Sequence, residues 1–214
     1  MTNLYLVRHG ETDWNRARRI QGSTDIPLND TGRGQAASTG QLLARRDWDA
    51  IIASPLSRAF ETASIIAAEV GLPEPTTRDS LVERRYGEAE GLNYQQVDDR
   101  FPEGADVPGR ESRDEVMERV VPALLGIAAE HPGQNVIVVS HGGVIRAVLG
   151  AIDPDNMHGT ITNGSIHSVR IAEGSLELIA FDDPIDELSL ACGTDDIEEQ
   201  NALESRDAVT STGA

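Results

Sequence analysis

The chain has 214 residues, 39% of them hydrophobic, which is enough apolar material for one well-packed domain. Its formal charge of −18 argues against nucleic acid as a partner, because binding a phosphate backbone takes a basic face. A single cysteine, Cys192, excludes an internal disulfide framework and a cysteine metal site.

The charge is unevenly placed. Residues 182 to 214 hold ten Asp or Glu against one Arg, about half the net charge. This stretch is also Ser/Thr-rich and lacks periodicity, so it is expected to be a disordered tail behind a globular domain of residues 1–181. All 18 basic residues are Arg, so any anion site must be built from guanidinium groups, His and backbone N–H. The apolar run before Arg8-His9 is too short for a signal-peptide core or a membrane span, and a cytoplasmic protein with no membrane partner is expected.

In chain order, Asn3 to Val7 reads as a buried strand that ends abruptly at charged residues. A polar, irregular segment follows through Pro27. Thr31 is the expected N-cap of a helix from Gly32 to about Arg46. Ala50 to Ala53 reads as a second strand, and Pro55 as the first-turn proline of a helix running to about Val70. Thr76 to Val82 is expected to be extended, and Glu83 to Ser112 to form a polar, Gly-containing connection. Val116, Val120, Leu124 and Ile127 predict a helix from about Arg113 to Glu130, which Pro122 should kink or break. Asn135 to Val139 is the most strand-like run, with a short helix from Gly142 to Leu149 behind it. Ser165 to Ile171 and Leu176 to Phe181 flank Glu173-Gly174 as a hairpin. Alternating strands and helices predict an α/β fold, with a mainly parallel sheet flanked by helices on both faces and an antiparallel edge hairpin.

In such a sheet ligands sit beyond the carboxyl ends of the strands. The residues standing there are Arg8-His9-Gly10, Ser54 through Arg58, and Ser140-His141-Gly142-Gly143, with Glu83 after the Leu81-Val82 run. Two histidines, two arginines and a carboxylate suit phosphoryl transfer, where catalysis is chiefly positioning plus fixed positive potential around the transferred oxygens. Arg8, Arg58 and a protonated His141 could supply that potential. A neutral His9 could attack phosphorus, and Glu83 could protonate the leaving alkoxide and then deprotonate water. Gly10, Gly142 and Gly143 would let backbone approach the phosphate, and the helix after His141 would add its positive end. A lone histidine after an apolar run is more often structural; two of them with arginines and glycines at matching strand ends are not. His9, Glu11, Asp13 and His141 can also be imagined as metal ligands, but their spacing follows no ligand pattern and the arginines oppose a cation. His131 reads as a helix-end charge, and His158 and His167 have no motif around them.

Leu6-Val7-Arg8-His9-Gly10-Glu11-Thr12, Ser54-Pro55-Leu56-Ser57-Arg58-Ala59, Glu83-Arg84-Arg85-Tyr86-Gly87 and Val139-Ser140-His141-Gly142-Gly143 together resemble the histidine phosphatase superfamily, in its phosphoglycerate-mutase-like branch. The likeness runs from residue 4 to about 180. It implies His9 as phosphohistidine nucleophile, Arg8, Arg58 and His141 as the phosphate pocket, and Glu83 as acid and base. It further implies Asn15, Gln21 and Gly22 as lining of the substrate site, with no metal and no cofactor. Tyr86, Arg110 and Gly142 complete the expected substrate contacts.

The cofactor-dependent mutases of that family carry a Lys where Tyr94 stands here, and a longer insertion with adjacent arginines. Pro108-Gly109-Arg110-Glu111-Ser112 instead resembles the Pro-Gly-Gly-Glu-Ser segment of the small phosphatases, with Arg110 in place of the second Gly. The wording of Glu83 to Gly87 is nearer the mutases. The resemblance thus implies a phosphomonoester phosphatase for a small phosphorylated metabolite, with phosphoglycerate mutase as the alternative and a non-catalytic anion-binding module as a third reading.

Overall fold

Leu4 and Leu6 belong to one buried face of the first strand, Tyr5 and Val7 to the other, and none of the four is more than 7% exposed. A strand apolar on both faces must lie between two layers of helices. The computed structural model describes residues 1–154, 159–183 and 185, so nearly all of the acidic stretch expected to be a tail lies outside the described residues.

Among the described residues the strands are β1 (Thr2–Arg8), β2 (Ala50–Ala53), β3 (Thr76–Thr77), β4 (Asn135–Ser140), β5 (Ile166–Ala172) and β6 (Ser175–Ala180). They form one sheet in the order β3-β2-β4-β1-β5-β6. The first four of that order run parallel, and β5 and β6 close one edge as an antiparallel hairpin. This is the architecture that the alternating sequence pattern predicts.

The helices are α1 (Asp13–Arg16), α2 (Asp30–Leu43), α3 (Ser57–Val70), α4 (Tyr94–Arg100), α5 (Arg113–Glu130) and α6 (Gly142–Ile152). On one face Leu4, Leu6, Ile52, Val136 and Val138 pack with Val120 and Leu124 of α5 and Val144 and Val148 of α6. On the other, Tyr5, Val7, Ile51, Ile137 and Val139 pack with Leu43 of α2 and Ala63 and Ile66 of α3. Each fully buried large aliphatic side chain contributes about 1.5–3 kcal/mol relative to exposure.

Several local expectations are corrected. The N-cap of α2 is Asn29, whose side-chain oxygen accepts the Gly32 N–H at 2.9 Å, so Thr31 lies inside the first turn. Pro55 precedes α3, which starts at Ser57. Pro122 does not end α5, because it lies on the exposed face where water can satisfy the carbonyl its missing N–H leaves free. The extended run after Thr76 is only two residues long before a 3₁₀ turn at Asp79–Leu81. The polar region 83–112 contains α4, held at its start by a capping box between Asn93 and Gln96 and anchored by buried Val97 and Phe101. No helix among the described residues is long and apolar enough to cross a membrane.

Candidate active site

Parallel register makes the strand ends coincide. Arg8 pairs with Ser140 and Ala53 with Val139, so the next residues, His9, Ser54 and His141, leave the sheet side by side. The His9 N–H donates to the Ser140 carbonyl at 3.0 Å, and that of Ser54 to Val139 at 2.9 Å, which carries the ladder one residue past the strands. Arg8, His9, Arg58, Glu83 and His141 are each at most 2% exposed. Buried charges and imidazoles of this kind are costly unless held by partners.

His9 Nδ1 lies 2.7 Å from the Gly10 carbonyl oxygen. A carbonyl only accepts, so the ring proton sits on Nδ1 and the Nε2 lone pair is the reactive one. Arg58 Nε donates toward that nitrogen at 3.3 Å. Burial, then the charges of Arg58 and Arg8, hold the His9 pKa well below its ordinary value, against an opposing contribution from the Gly10 carbonyl. His9 is therefore a neutral imidazole of one tautomer.

Arg58 is fixed through its other two nitrogens, Nη1 on the Thr24 carbonyl at 2.9 Å and Nη2 on the Gly22 carbonyl at 2.8 Å. Arg8 Nη1 donates to the Ile161 carbonyl at 2.7 Å. The loop before β5 also supplies Asn163, whose Nδ2 holds the His9 carbonyl at 2.9 Å. The His141 ring lies 5.1 Å from that of His9. Its Nε2 is 2.8 Å from the Ser54 hydroxyl, and its buried Nδ1 has no hydrogen-bond partner among the described residues.

Glu83 sits at the start of α6. Oε2 accepts the Gly143 N–H at 3.1 Å, and Oε1 accepts those of Val144 at 3.2 Å and Arg84 at 2.8 Å. Two sequence expectations change here. The first-turn amides of α6, expected to face a phosphate, are occupied by this carboxylate. His141, expected to be protonated, is held neutral by the protein's own surroundings: burial first, then Arg58, His9, Arg8 and Arg119. Gly10 also has a packing reason of its own, since an added Cβ would stand 2.3 Å from the Gly32 carbonyl oxygen. At Gly142 a Cβ would come within 3.4 Å of Arg8 Nε.

The outer residues are brought less directly into the site. Asn15 Oδ1 accepts the Thr12 N–H at 3.1 Å, and Gln21 Oε1 accepts from the Thr12 hydroxyl at 2.9 Å, so both buried carboxamides brace the turn after His9. Gly22 acts through its carbonyl, on Arg58. Tyr86, expected at the substrate, is fully buried in a small cluster with Ile20, Ala89, Val97 and Phe101, because α4 covers it. Arg110 is half-buried and pairs through its backbone with Tyr86.

Sequence reasoning missed Arg119. It grips Glu111 with Nε and Nη2 at 2.8 and 3.0 Å, and Nη1 donates to the Ser80 and Val82 carbonyls at 2.8 and 2.7 Å. The segment that delivers Glu83 is thereby clamped to α5. The Glu111 carboxyl is held below the ordinary range: burial pushes it up, but the Arg119 hydrogen bonds, the Arg85 amide and the charges of both arginines outweigh that. Nothing in the spacing of the two residues announces the pair, because α5 reads as an ordinary amphipathic helix. Among the described residues no group of three or more His, Cys, Asp or Glu is arranged to hold a metal ion.

A parallel sheet whose carboxyl edge gathers two buried guanidiniums, two neutral imidazoles and a carboxylate defines a protein built to hold and transfer a phosphoryl-like anion. Residues 4–184 match the model of the histidine phosphatase superfamily (branch 1), and the chain belongs to that family. It is 39% identical over 176 residues to the uncharacterized phosphatase PhoE of Bacillus subtilis, covering 81% of this chain and 90% of the relative. It is 31% identical over 201 residues to a 2,3-bisphosphoglycerate-dependent phosphoglycerate mutase of Cytophaga hutchinsonii, covering 87% and 91%. Among solved structures, a mycobacterial glucosyl-3-phosphoglycerate phosphatase in complex with VO3 superposes with a TM-score of 0.72 at 30% identity, covering 78% of this chain and 92% of that one.

Proposed function

We propose that the protein is a phosphomonoester phosphatase that acts on a small phosphorylated metabolite through a phosphohistidine at His9. The observation that carries this reading is the state of His9: Nδ1 bound to Gly10, Nε2 carrying the lone pair, and a lowered pKa that keeps that lone pair available at neutral pH.

In the first step Nε2 attacks phosphorus in line and the ester P–O bond breaks. Glu83, in its acid form, gives its proton to the departing alkoxide. Arg8 and Arg58 hold the non-bridging oxygens, and the spread of negative charge over them favours protonation of His141, which can then donate through Nδ1. In the second step Glu83 removes a proton from water, which attacks the phosphohistidine and releases inorganic phosphate, returning His9 to its neutral form.

Two guanidiniums beside the nucleophile do the charge neutralisation that a metal supplies elsewhere, so the reaction is metal-independent. Cytoplasmic location follows from the same reading of a metabolite substrate. Phosphoglycerate mutase is the second reading, favoured by the Cytophaga hutchinsonii relative. A panel of phosphomonoesters that includes 3-phosphoglycerate, with and without 2,3-bisphosphoglycerate, separates the two. Free phosphate as the main product supports the phosphatase, and isomerised phosphoglycerate overturns it. His9→Ala abolishes both turnover and the acid-labile phosphoenzyme; full activity in that variant sinks the nucleophile assignment.

A further inference from the structure

Glu90 lies outside the expected catalytic set, yet both oxygens of its carboxylate are engaged by donors from two separate segments of the chain. Oε1 accepts the backbone N–H of Ser23 at 3.0 Å and of Tyr86 at 3.0 Å, and the Ser23 hydroxyl at 3.1 Å. Oε2 accepts the Thr24 N–H at 3.0 Å and its hydroxyl at 2.5 Å. The residues tied together are more than sixty apart in sequence. Every partner is a donor, so the site calls for a group with only acceptors.

The turn that Glu90 holds is the one that holds Arg58. The carbonyls of Gly22 and Thr24 flank Ser23 and receive the two terminal nitrogens of the guanidinium. Gly22 stands at φ +56°, and a Cβ there would come within 2.2 Å of Glu90 Oε1, so the turn is shaped around the carboxylate. On its far side Asp25 ties the same turn to the start of α3, accepting the Ser57 N–H at 2.9 Å and hydroxyl at 2.7 Å. A guanidinium whose two terminal nitrogens rest on carbonyls goes where those carbonyls go.

We infer that Glu90 is a positioning residue for Arg58: it sets the 22–24 turn whose carbonyls aim the guanidinium at His9 Nε2 and at a phosphoryl oxygen beside it. The inference rests on the phosphoryl-transfer reading of the site. Glu90→Gln keeps the shape and replaces one acceptor oxygen with an NH2 that faces N–H donors. Misplacement of a transition-state contact by about 1 Å costs about 100-fold in rate. The turn should shift by less, so kcat/KM falls about 10- to 100-fold.

The test is a double-mutant cycle with Arg58→Ala, reading kcat/KM on an aryl phosphate and, separately, the dissociation constant of inorganic phosphate by titration calorimetry. Glu90→Gln weakens phosphate and lowers kcat/KM in the wild-type background. In the Arg58→Ala background it changes either by no more than about 3-fold, because the residue it acts through is gone. Equal losses in both backgrounds, or no loss in the first, overturn the proposal. If Glu90→Gln does not fold, Ser23→Ala combined with Thr24→Val removes two donors to the same carboxylate and is read through the same cycle. Phosphate binding does not require turnover. Activity retained in His9→Ala would therefore defeat the catalytic reading while the phosphate cycle still decides the role of Glu90.

Discussion

Arg58 Nε lies 3.3 Å from His9 Nε2 while its two terminal nitrogens are spent on the Thr24 and Gly22 carbonyls. All three nitrogens of the fork are engaged while each terminal nitrogen still carries a second N–H, and only a planar guanidinium with five donors can do this. Arg58→Lys keeps the charge and loses the fork. It should lower kcat/KM by about 10²- to 10³-fold, the range for removal of one well-aimed transition-state donor. Steady-state kinetics on an aryl phosphate measures it, and near wild-type activity in the Lys variant would show that charge alone suffices.

Glu83→Gln should discriminate between leaving groups. An alkyl alkoxide needs its proton during bond breaking, whereas an activated aryl oxide does not. Turnover of alkyl esters is expected to fall about 10²- to 10⁴-fold, and that of a nitrophenyl ester much less. Equal losses on both would count against the acid role.

The two buried imidazoles make stability depend on pH. Burial, followed by the neighbouring arginines, lowers the folded-state pKa of His9 and His141 below 6.5. On acidification the unfolded chain takes up these protons first, so the stability is fully present above pH 6.5 and is lost as pH falls below it. Each histidine contributes about 1.4 kcal/mol per pH unit until its folded pKa is reached. Urea unfolding of wild type and His9→Asn at pH 7.5 and 5.5 reads this, and the variant should show the shallower dependence. Saturating inorganic phosphate should also flatten the wild-type curve, because an anion raises the folded pKa of both rings.

Arg119→Ala leaves the buried Glu111 carboxylate without its two-pronged partner and frees the Ser80 and Val82 carbonyls. Because Arg119 is partly exposed, a cost of about 2–4 kcal/mol is expected rather than the full range for a buried pair. Turnover of alkyl esters should fall as well, through displacement of the segment that carries Glu83. Denaturant unfolding and leaving-group kinetics on one sample separate the two effects. A stability loss with unchanged kinetics would confine Arg119 to the scaffold.

The strand-like runs ending at Arg8-His9 and Ser140-His141 were legible because a strand buried on both faces needs a continuous apolar run, and the polar residues after it stand out. The α4 helix was hidden in region 83–112 although the Asn93 and Gln96 spacing of its capping box was there to be read. Its two buried anchors, Val97 and Phe101, make too short a pattern to compete with the surrounding polar residues.

By itself, the sequence determined the layered α/β architecture and the emergence of Arg8-His9 and Ser140-His141 at one sheet edge, since a strand buried on both faces ends where its apolar run ends; Arg58 and Glu83 reach that edge from a helix and from a 3₁₀ turn, which no strand pattern marks. Only the tertiary structure decided their chemical states and supports. It put the proton of His9 on Nδ1, held His141 neutral, turned Glu83 onto the first amides of α6, buried Tyr86, tied Glu90 to the 23–24 turn and set Arg119 against the segment that carries Glu83. Those outcomes depend on burial and on hydrogen bonds between residues far apart in the chain, and such contacts leave no periodic trace in a linear sequence.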